Sequence, residues 1–277
     1  MNKAKIAVLA ATAATVGLTL TACGNAGGSS ANSDSKTIKV AASATPHAEI
    51  LEEAKPILKE KGYDLEVTVF DDYILPNEVV NSGEFDANYF QHITYLDNFN
   101  IEKGTKLVNA GEIHYEPFGI YPGTKKSLAD LSDGDKIAVP NDTTNEARAL
   151  LLLQENGIIK LKDGAGLKAT KNDIVENPKH VDILELEAAQ EARVVNEVSY
   201  LVLNGNYAIA ANYTVKTDSL AVEKSSSDAI KAYVNVIAVK EGNENKSGIK
   251  ALVETLKSDK IQEFINNKYN GAVVPFK

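Results

Sequence analysis

From residue 36 onward the chain alternates between two hydrophobic periods. Residues 37–42 (TIKVAA) and 65–70 (LEVTVF) place apolar side chains at every second position, as a strand with one buried face does. Shorter apolar runs predict further strands at 106–109, 118–121, 136–139, 182–186, 200–203 and 234–239. Between them the period lengthens. Ile50, Leu51, Ala54, Ile57 and Leu58 form the stripe of a first helix, with Thr45 and Pro46 at its start, a kink expected at Pro56 and a stop at Gly62. The same spacing predicts helices over 76–82, 92–102, 127–131, 143–156, 187–198, 226–231, 247–257 and 259–268. Strands separated by helices imply βαβ units, hence an α/β protein with mainly parallel sheets covered on both faces. Two extended apolar stretches, 117–123 (PFGIYPG) and 233–239 (YVNVIAV), are suited to carry the chain between two lobes and back. The expected division is 37–118 plus 237–277 in lobe 1 and 119–236 in lobe 2. Ligands in such sheets bind in the cleft at the carboxyl ends of the strands.

The first 36 residues follow a different pattern. Lys3 and Lys5 precede an apolar run from Ile6 to Leu20, and small residues Thr21 and Ala22 precede Cys23. That run is too short to span a hydrocarbon layer of roughly 30 Å as a helix, but it suits the core of an export signal. Leu20-Thr21-Ala22-Cys23 resembles the lipobox of bacterial lipoproteins, in which the cysteine is acylated and becomes the mature N-terminus. Residues 24–36 (GNAGGSSANSDSK) offer almost nothing to bury and predict a flexible tether reaching about 20 Å. The expectation is a signal peptide over 1–22 and a lipid-anchored linker over 23–36. The globule would then be exported and held at the outer face of the cell membrane, or at the periplasmic face of a membrane.

Composition narrows the function. Of 277 residues, 29 are basic and 38 acidic; residues 1–22 hold two of the lysines and no acid, so without them the formal charge moves from -9 to -11. No basic stripe is available to neutralise phosphates, which argues against nucleic acid. Cys23 is the sole cysteine, which excludes an intrachain disulfide and any multi-cysteine metal site. The sequence has no G-x-S-x-G elbow, Walker A loop, G-x-G-x-x-G after a strand or H-E-x-x-H, so no enzyme activity and no cofactor are expected. His47, His92, His114 and His180 are scattered without ligand spacing.

Arginine is scarce: only Arg148 and Arg193 occur. A chain that uses lysine nearly everywhere keeps guanidinium where planar, bidentate geometry matters. Arg193 has Glu197 four residues on, a sufficient partner. Arg148 follows the strand at 136–139, in a segment where Thr143 and Glu146 form a capping-box pattern and Asn145 shares its helix face. A strand end, a helix N-terminus and an arginine together suit a carboxylate; an intrachain ion pair explains the same residues equally well. Eleven of the 18 Phe and Tyr residues fall between Tyr63 and Tyr121, including Tyr89, Phe90, Tyr95 and Phe99 around His92. Core packing is their common fate, but Tyr73, in the turn after the second strand, is placed for a cleft.

These residues carry a resemblance. Asp72-Tyr73-Ile74-Leu75-Pro76-Asn77-Glu78, Asp86-Ala87-Asn88-Tyr89-Phe90-Gln91-His92 with Tyr95-Leu96-Asp97, and Val139-Pro140-Asn141-Asp142-Thr143-Thr144-Asn145 through Arg148 to Gln154 run in order along the chain. Val175-Glu176-Asn177-Pro178, Leu184-Glu185-Leu186-Glu187-Ala188 and Tyr233-Val234-Asn235 continue the series. Together they resemble the methionine-binding lipoproteins of ABC importers, the MetQ/NlpA type, over nearly the whole mature chain. The resemblance implies a two-lobed type II periplasmic-binding-protein fold. It also implies capture of methionine, with L-methionine the expected form, and delivery to a membrane permease and its ATPase. It makes Arg148 the carboxylate clamp with Asn145 beside it, and gives Asn204 and Asn235 amide contacts to the amino-acid backbone. Tyr73, Phe90, His92 and Tyr95 would form the side-chain pocket, and Glu116 is a candidate for the ammonium. The sequence departs from the family pattern at 203–207 (LNGNY) and 116–118 (EPF). Another small apolar amino acid, D-methionine or a methionine dipeptide are the alternative ligands. A metal-binding lipoprotein using His92 and His114 is the alternative from a different class.

Overall fold

The computed structural model describes residues 36–224 and 231–276. The expected signal segment, Cys23, the linker up to residue 35 and the helix predicted over 226–231, save its last residue, lie outside the described residues. Two sheets define two lobes. In the first, strands β1 (Thr37–Ala42), β2 (Asp64–Val69), β3 (Ala87–His92), β4 (Leu107–Tyr115), β12 (Val234–Lys240) and β13 (Val274–Pro275) stand in the order β13-β4-β12-β3-β1-β2. In the second, β5 (Gly119–Pro122), β6 (Lys136–Pro140), β9 (Asp182–Leu186), β10 (Tyr200–Leu203) and β11 (Ala221–Val222) stand in the order β11-β5-β10-β6-β9. A small antiparallel pair, β7 (Lys160–Leu161) with β8 (Ile174–Glu176), lies apart.

Alternation in the sequence builds the first sheet as expected. β1 and β2 pair in parallel from Thr37 opposite Asp64 to Ala42 opposite Val69. The connecting helix α1 (Glu49–Glu60) buries Ile50, Leu51, Ala54 and Leu58 against Val40, Leu65 and Ile237. Gly62, with φ near +87°, ends it in the left-handed conformation that glycine adopts without strain. Two expectations change here. The helix begins at Glu49, after an irregular turn of residues 44–48 that buries His47, and it runs through Pro56 to Glu60 without a break. Ala54 and Leu58 are fully buried on either side of the proline, and that packing holds the turn despite its missing N–H.

Both sheets are mixed, which corrects the expectation of mainly parallel pairing. β1 is parallel to β2 and β3, and β6 to β9 and β10; β12 is antiparallel to β3 and β4, β13 to β4, and β5 to β10 and β11. The reason is the crossover. A chain that leaves a lobe toward the cleft on β4 and re-enters from the cleft on β12 must run the two strands in opposite senses. β12 begins at Val234, three residues before the expected return at 237. The pairing also turns the carboxyl ends of β1 to β4 in one lobe, and of β6, β9 and β10 in the other, toward the space between the sheets.

β3 is a strand the hydrophobic pattern does not reveal. All six residues of ANYFQH are buried, polar ones included, so no alternation remains. Its amides are satisfied against the preceding helix, α2 (Leu75–Ser82): Asn77 Nδ2 donates to Gln91 Oε1 (2.9 Å), while Asn77 Oδ1 accepts from Gln91 Nε2 (2.6 Å) and Asn88 Nδ2 (2.8 Å). The helix predicted over 187–198 shortens to α5 (Ala188–Glu191) and a single 3₁₀ turn, Ala192–Val194, which ends in the β-branched pair Val194-Val195. Arg193 is exposed there, and no ion pair joins it to Glu197 among the described residues.

Candidate functional site

Strand ends from both lobes meet around a small interlobe cavity. β3 delivers His92, which caps helix α3 (Ile93–Lys103): the Tyr95 N–H donates to its Nδ1 at 3.0 Å. Nδ1 is therefore the unprotonated nitrogen, and Nε2 donates across the cleft to Asn145 Oδ1 at 3.1 Å. Burial, reinforced by the Arg148 charge, pulls the His92 pKa down to about 3, so the ring stays neutral.

β6 ends at Pro140, and helix α4 (Thr143–Glu155) follows. Its cap is Asp142, whose carboxylate accepts from the Asn145 N–H, the Thr144 hydroxyl and Asn145 Nδ2 at 2.9–3.0 Å. The Thr143–Glu146 capping box does not form; Glu146 accepts instead from the Lys171 N–H. With its Nδ2 held by Asp142, Asn145 presents Oδ1, which accepts from His92 and from Asn204 Nδ2 (2.9 Å). Asn204, at the end of β10, is left with Oδ1 facing no donor although it is buried. A carboxylate thus orients two amides in series, and the second offers an unanswered acceptor.

Arg148 lies on the same helix, 4% exposed. Its Nε donates to Glu223 Oε2 at 2.9 Å, and Nη2 donates to Glu223 Oε1 and to the Glu116 carbonyl. The ring centroids of Tyr233 and Phe118 lie 4.0 and 4.6 Å from its Cζ. Burial opposes its charge, but Glu223 outweighs that and raises the pKa. Both sequence alternatives for this residue are realised together. The bidentate fork is taken by an intrachain carboxylate, and the two N–H groups of Nη1 have no hydrogen-bond partner among the described residues.

Glu116, on the outward crossover, is 6% exposed and sits in a buried cluster. His114 Nε2 donates to its Oε1 at 2.7 Å, and His47 Nε2 lies 3.4 Å from the same oxygen. The Tyr89 hydroxyl pairs with His114 Nδ1, and Ser43 Oγ with His47 Nδ1 at 3.0 Å. His47 Nε2 also contacts Asn235 Oδ1 at 3.0 Å, which leaves Nδ2 as the donor that Asn235 brings to the cavity. Tyr73, Phe90 and Tyr95 form an aromatic wall, with ring centroids 5.6–6.1 Å apart. Tyr73 donates to Asn206 Oδ1 (2.5 Å) and Tyr207 to the Asp71 carbonyl (2.7 Å), so the lobes are hydrogen-bonded across the cleft. Tyr73 and Tyr95 also line a wider adjoining space of about 510 Å³ that opens past Asp72, Asp142 and Glu187.

All nine expected binding residues, Tyr73, Phe90, His92, Tyr95, Glu116, Asn145, Arg148, Asn204 and Asn235, border the one cavity. Residues 38–277 match the model of the family described as "NlpA lipoprotein". The chain belongs to that family. Among its NlpA relatives, the methionine-binding lipoprotein MetQ of Bacillus subtilis is 45% identical over 261 residues, 92% of this chain and 93% of the relative. The D-methionine-binding lipoprotein MetQ of Salmonella typhimurium is 41% identical, covering 98% of each. A nutrient-binding protein from Burkholderia cenocepacia, solved bound to methionine, superposes with a TM-score of 0.82 at 44% identity, covering 87% of this chain and all of that one. A lipoprotein from Ruminococcus gnavus reaches a TM-score of 0.86 at 73% identity, covering 88% and 100%. The two MetQ relatives and the Burkholderia neighbour are named as binding proteins, and the α/β fold is the two-lobed fold of these proteins. No helix among the described residues is long and apolar enough to cross a membrane.

Three cavity residues of this NlpA lipoprotein escaped the sequence reading: Gln91, Gly205 and Asn206. The 203–207 segment that departs from the family pattern contains two of them. Gly205 is needed because a Cβ there would lie 2.6–2.7 Å from Glu116 Oε2 and Cβ. The pairing of His92 with His114 as metal ligands does not occur. The group with metal-ligand spacing among the described residues is His47, His114 and Glu116, and its ring nitrogens are all taken by the hydrogen bonds above.

The buried histidines set a pH dependence. Burial lowers His47 to about 4, with Glu116 opposing, and His114 to about 3. Each folded value lies below the ordinary one near 6.5, so the unfolded chain takes up the proton first and stability falls as pH drops below about 6.5. Glu116, raised by burial, works in the opposite sense. Each of the three histidines contributes about 1 kcal/mol per pH unit between about pH 6 and 5, a loss that Asp142, Glu146 and Glu191, also raised by burial, offset in the same way as Glu116. Ring-proton NMR of the folded protein between pH 7 and 5 measures the histidines directly, and titration of His47, His92 and His114 near 6.5 would show that these rings are not held neutral.

Proposed function

We propose that the protein is an extracytoplasmic solute-binding lipoprotein that captures methionine, with L-methionine as the preferred form, and hands it to an ABC permease driven by its ATPase. The observation that carries this reading is the buried, unanswered Oδ1 of Asn204 in the same cavity as Arg148 and the aromatic wall. An acceptor without a donor suits an α-ammonium, while the Arg148 Nη1 and Asn235 Nδ2 donors suit a carboxylate. Tyr73, Phe90 and Tyr95 offer ring edges to a thioether. Glu116 supports the ammonium end through its charge. Capture involves no covalent chemistry: the lobes close on the zwitterion and exclude water, and the closed form docks on the permease. One relative named for methionine, one named for D-methionine and the methionine-bound neighbour support methionine as the ligand.

Calorimetry with L-methionine, D-methionine, alanine, leucine and methionine dipeptides tests the reading. L-Methionine is expected to bind at least about tenfold more tightly than alanine, since alanine leaves the aromatic wall uncovered. Tyr73→Ala should narrow that gap. No binding of any amino acid would reject the reading, and tighter binding of D-methionine or a dipeptide would reassign the ligand. Residues 1–22 act in this proposal as the export signal, Cys23 as the acylation site and residues 24–36 as the tether. Fractionation of cells making Cys23→Ala should move the protein out of the membrane fraction with its ligand affinity unchanged; retention there would reject the lipid attachment.

A further inference from the structure

Glu223 stands at the start of the return crossover, just after β11. Its carboxylate accepts from four donors: Arg148 Nε and Nη2, the Tyr115 hydroxyl and the Phe118 N–H. Tyr115 and Phe118 belong to the outward crossover and Arg148 to α4 of lobe 2, so one carboxylate ties both crossovers to the arginine. The guanidinium is then fixed on every side but one. Phe118 and Tyr233 hold its faces, Glu223 and the Glu116 carbonyl hold Nε and Nη2, and Nη1 remains.

Resting on the amino-acid-binding reading above, we infer that Glu223 is a positioning residue for ligand recognition. It takes the bidentate fork of Arg148 for itself and leaves Nη1 as the group that reads the ligand's carboxylate. Recognition is end-on at one nitrogen, made selective by orientation rather than by an unpaired positive charge, because Glu223 already neutralises the arginine. An arginine released from this hold would trade a fixed direction for several rotamers and lose much of its discrimination.

The test compares L-methionine with its carboxamide, methioninamide, on the full chain and on Glu223→Gln, by calorimetry at a temperature well below the melting transition. The wild-type chain should prefer methionine, and Glu223→Gln should bind methionine about 10- to 100-fold more weakly while its affinity for methioninamide changes little. The preference between the two ligands is insensitive to overall stability, since both bind the same fold. If Glu223→Gln does not fold, Glu223→Asp, which keeps the charge at a shorter reach, replaces it and should lose part of the preference. An unchanged preference in the variant that folds overturns the inference and leaves the ligand reading intact. A rise in methionine affinity overturns it too, because Glu223 would then compete with the ligand. A wild-type chain that binds neither compound overturns the ligand reading and this inference with it.

Discussion

Arg148→Ala is expected to reduce methionine affinity by more than about 100-fold and also to destabilise the protein by about 3–5 kcal/mol. The first effect follows from the loss of the cationic donor at the carboxylate end. The second follows from Glu223, whose side chain is about 10% exposed and would keep a charge with its fork partner gone. The truncation also leaves a gap between the Phe118 and Tyr233 rings. The two effects separate in a second variant. Arg148→Met combined with Glu223→Gln removes the charge pair, keeps an unbranched side chain between the rings and should restore most of the stability, while affinity stays lost. Calorimetry and thermal melts read both. Full affinity in Arg148→Ala would remove Arg148 from the site; full stability would mean that Glu223 is not held as a buried charge.

Asn204→Ala should behave in the opposite way. Its Oδ1 is a buried acceptor without a donor, which costs the ligand-free fold about 1–3 kcal/mol. Removing the side chain relieves that cost while giving up one hydrogen bond to Asn145, which still accepts from His92. The ligand-free protein should therefore melt within a few degrees of the wild-type chain, or above it, while methionine affinity falls about 10- to 100-fold. A clear fall in melting temperature with unchanged affinity would make Asn204 a structural residue.

Much of the fold was legible because β1, β2, β6, β9 and β10 alternate or run apolar between turn signals, and because α1 and α4 carry clear stripes. β3 was not, since a strand buried on both faces with its amides paired to Asn77 leaves no period to read. The site divides in the same way. Residues in quotable family motifs fall on the cavity wall, as Tyr73, His92 and Arg148 do. Roles that depend on pairing across the fold were hidden. Nothing in local spacing brings His47 to Glu116, or Glu223 to Arg148, because each pair is joined only once the crossovers are in place. Asp142 was passed over as a cap because Thr143 and Glu146 match the capping-box pattern more fully, yet Asp142 is the residue that orients Asn145.

The position of β12 bears on the order in which the chain completes itself. β4 is paired with β12 and β13, and β3 with β12 and β1, so the middle of the first sheet waits for residues after 233. The second sheet draws every strand from 119–222, one unbroken stretch. Lobe 2 therefore has all its strands while lobe 1 is still a three-stranded fragment with an open edge, and lobe 1 closes last, through contacts of long sequence separation. A nascent chain lacking its final forty-odd residues has no β12, and so no return crossover to complete a cleft. Capture of a ligand becomes possible only when almost the entire chain is present.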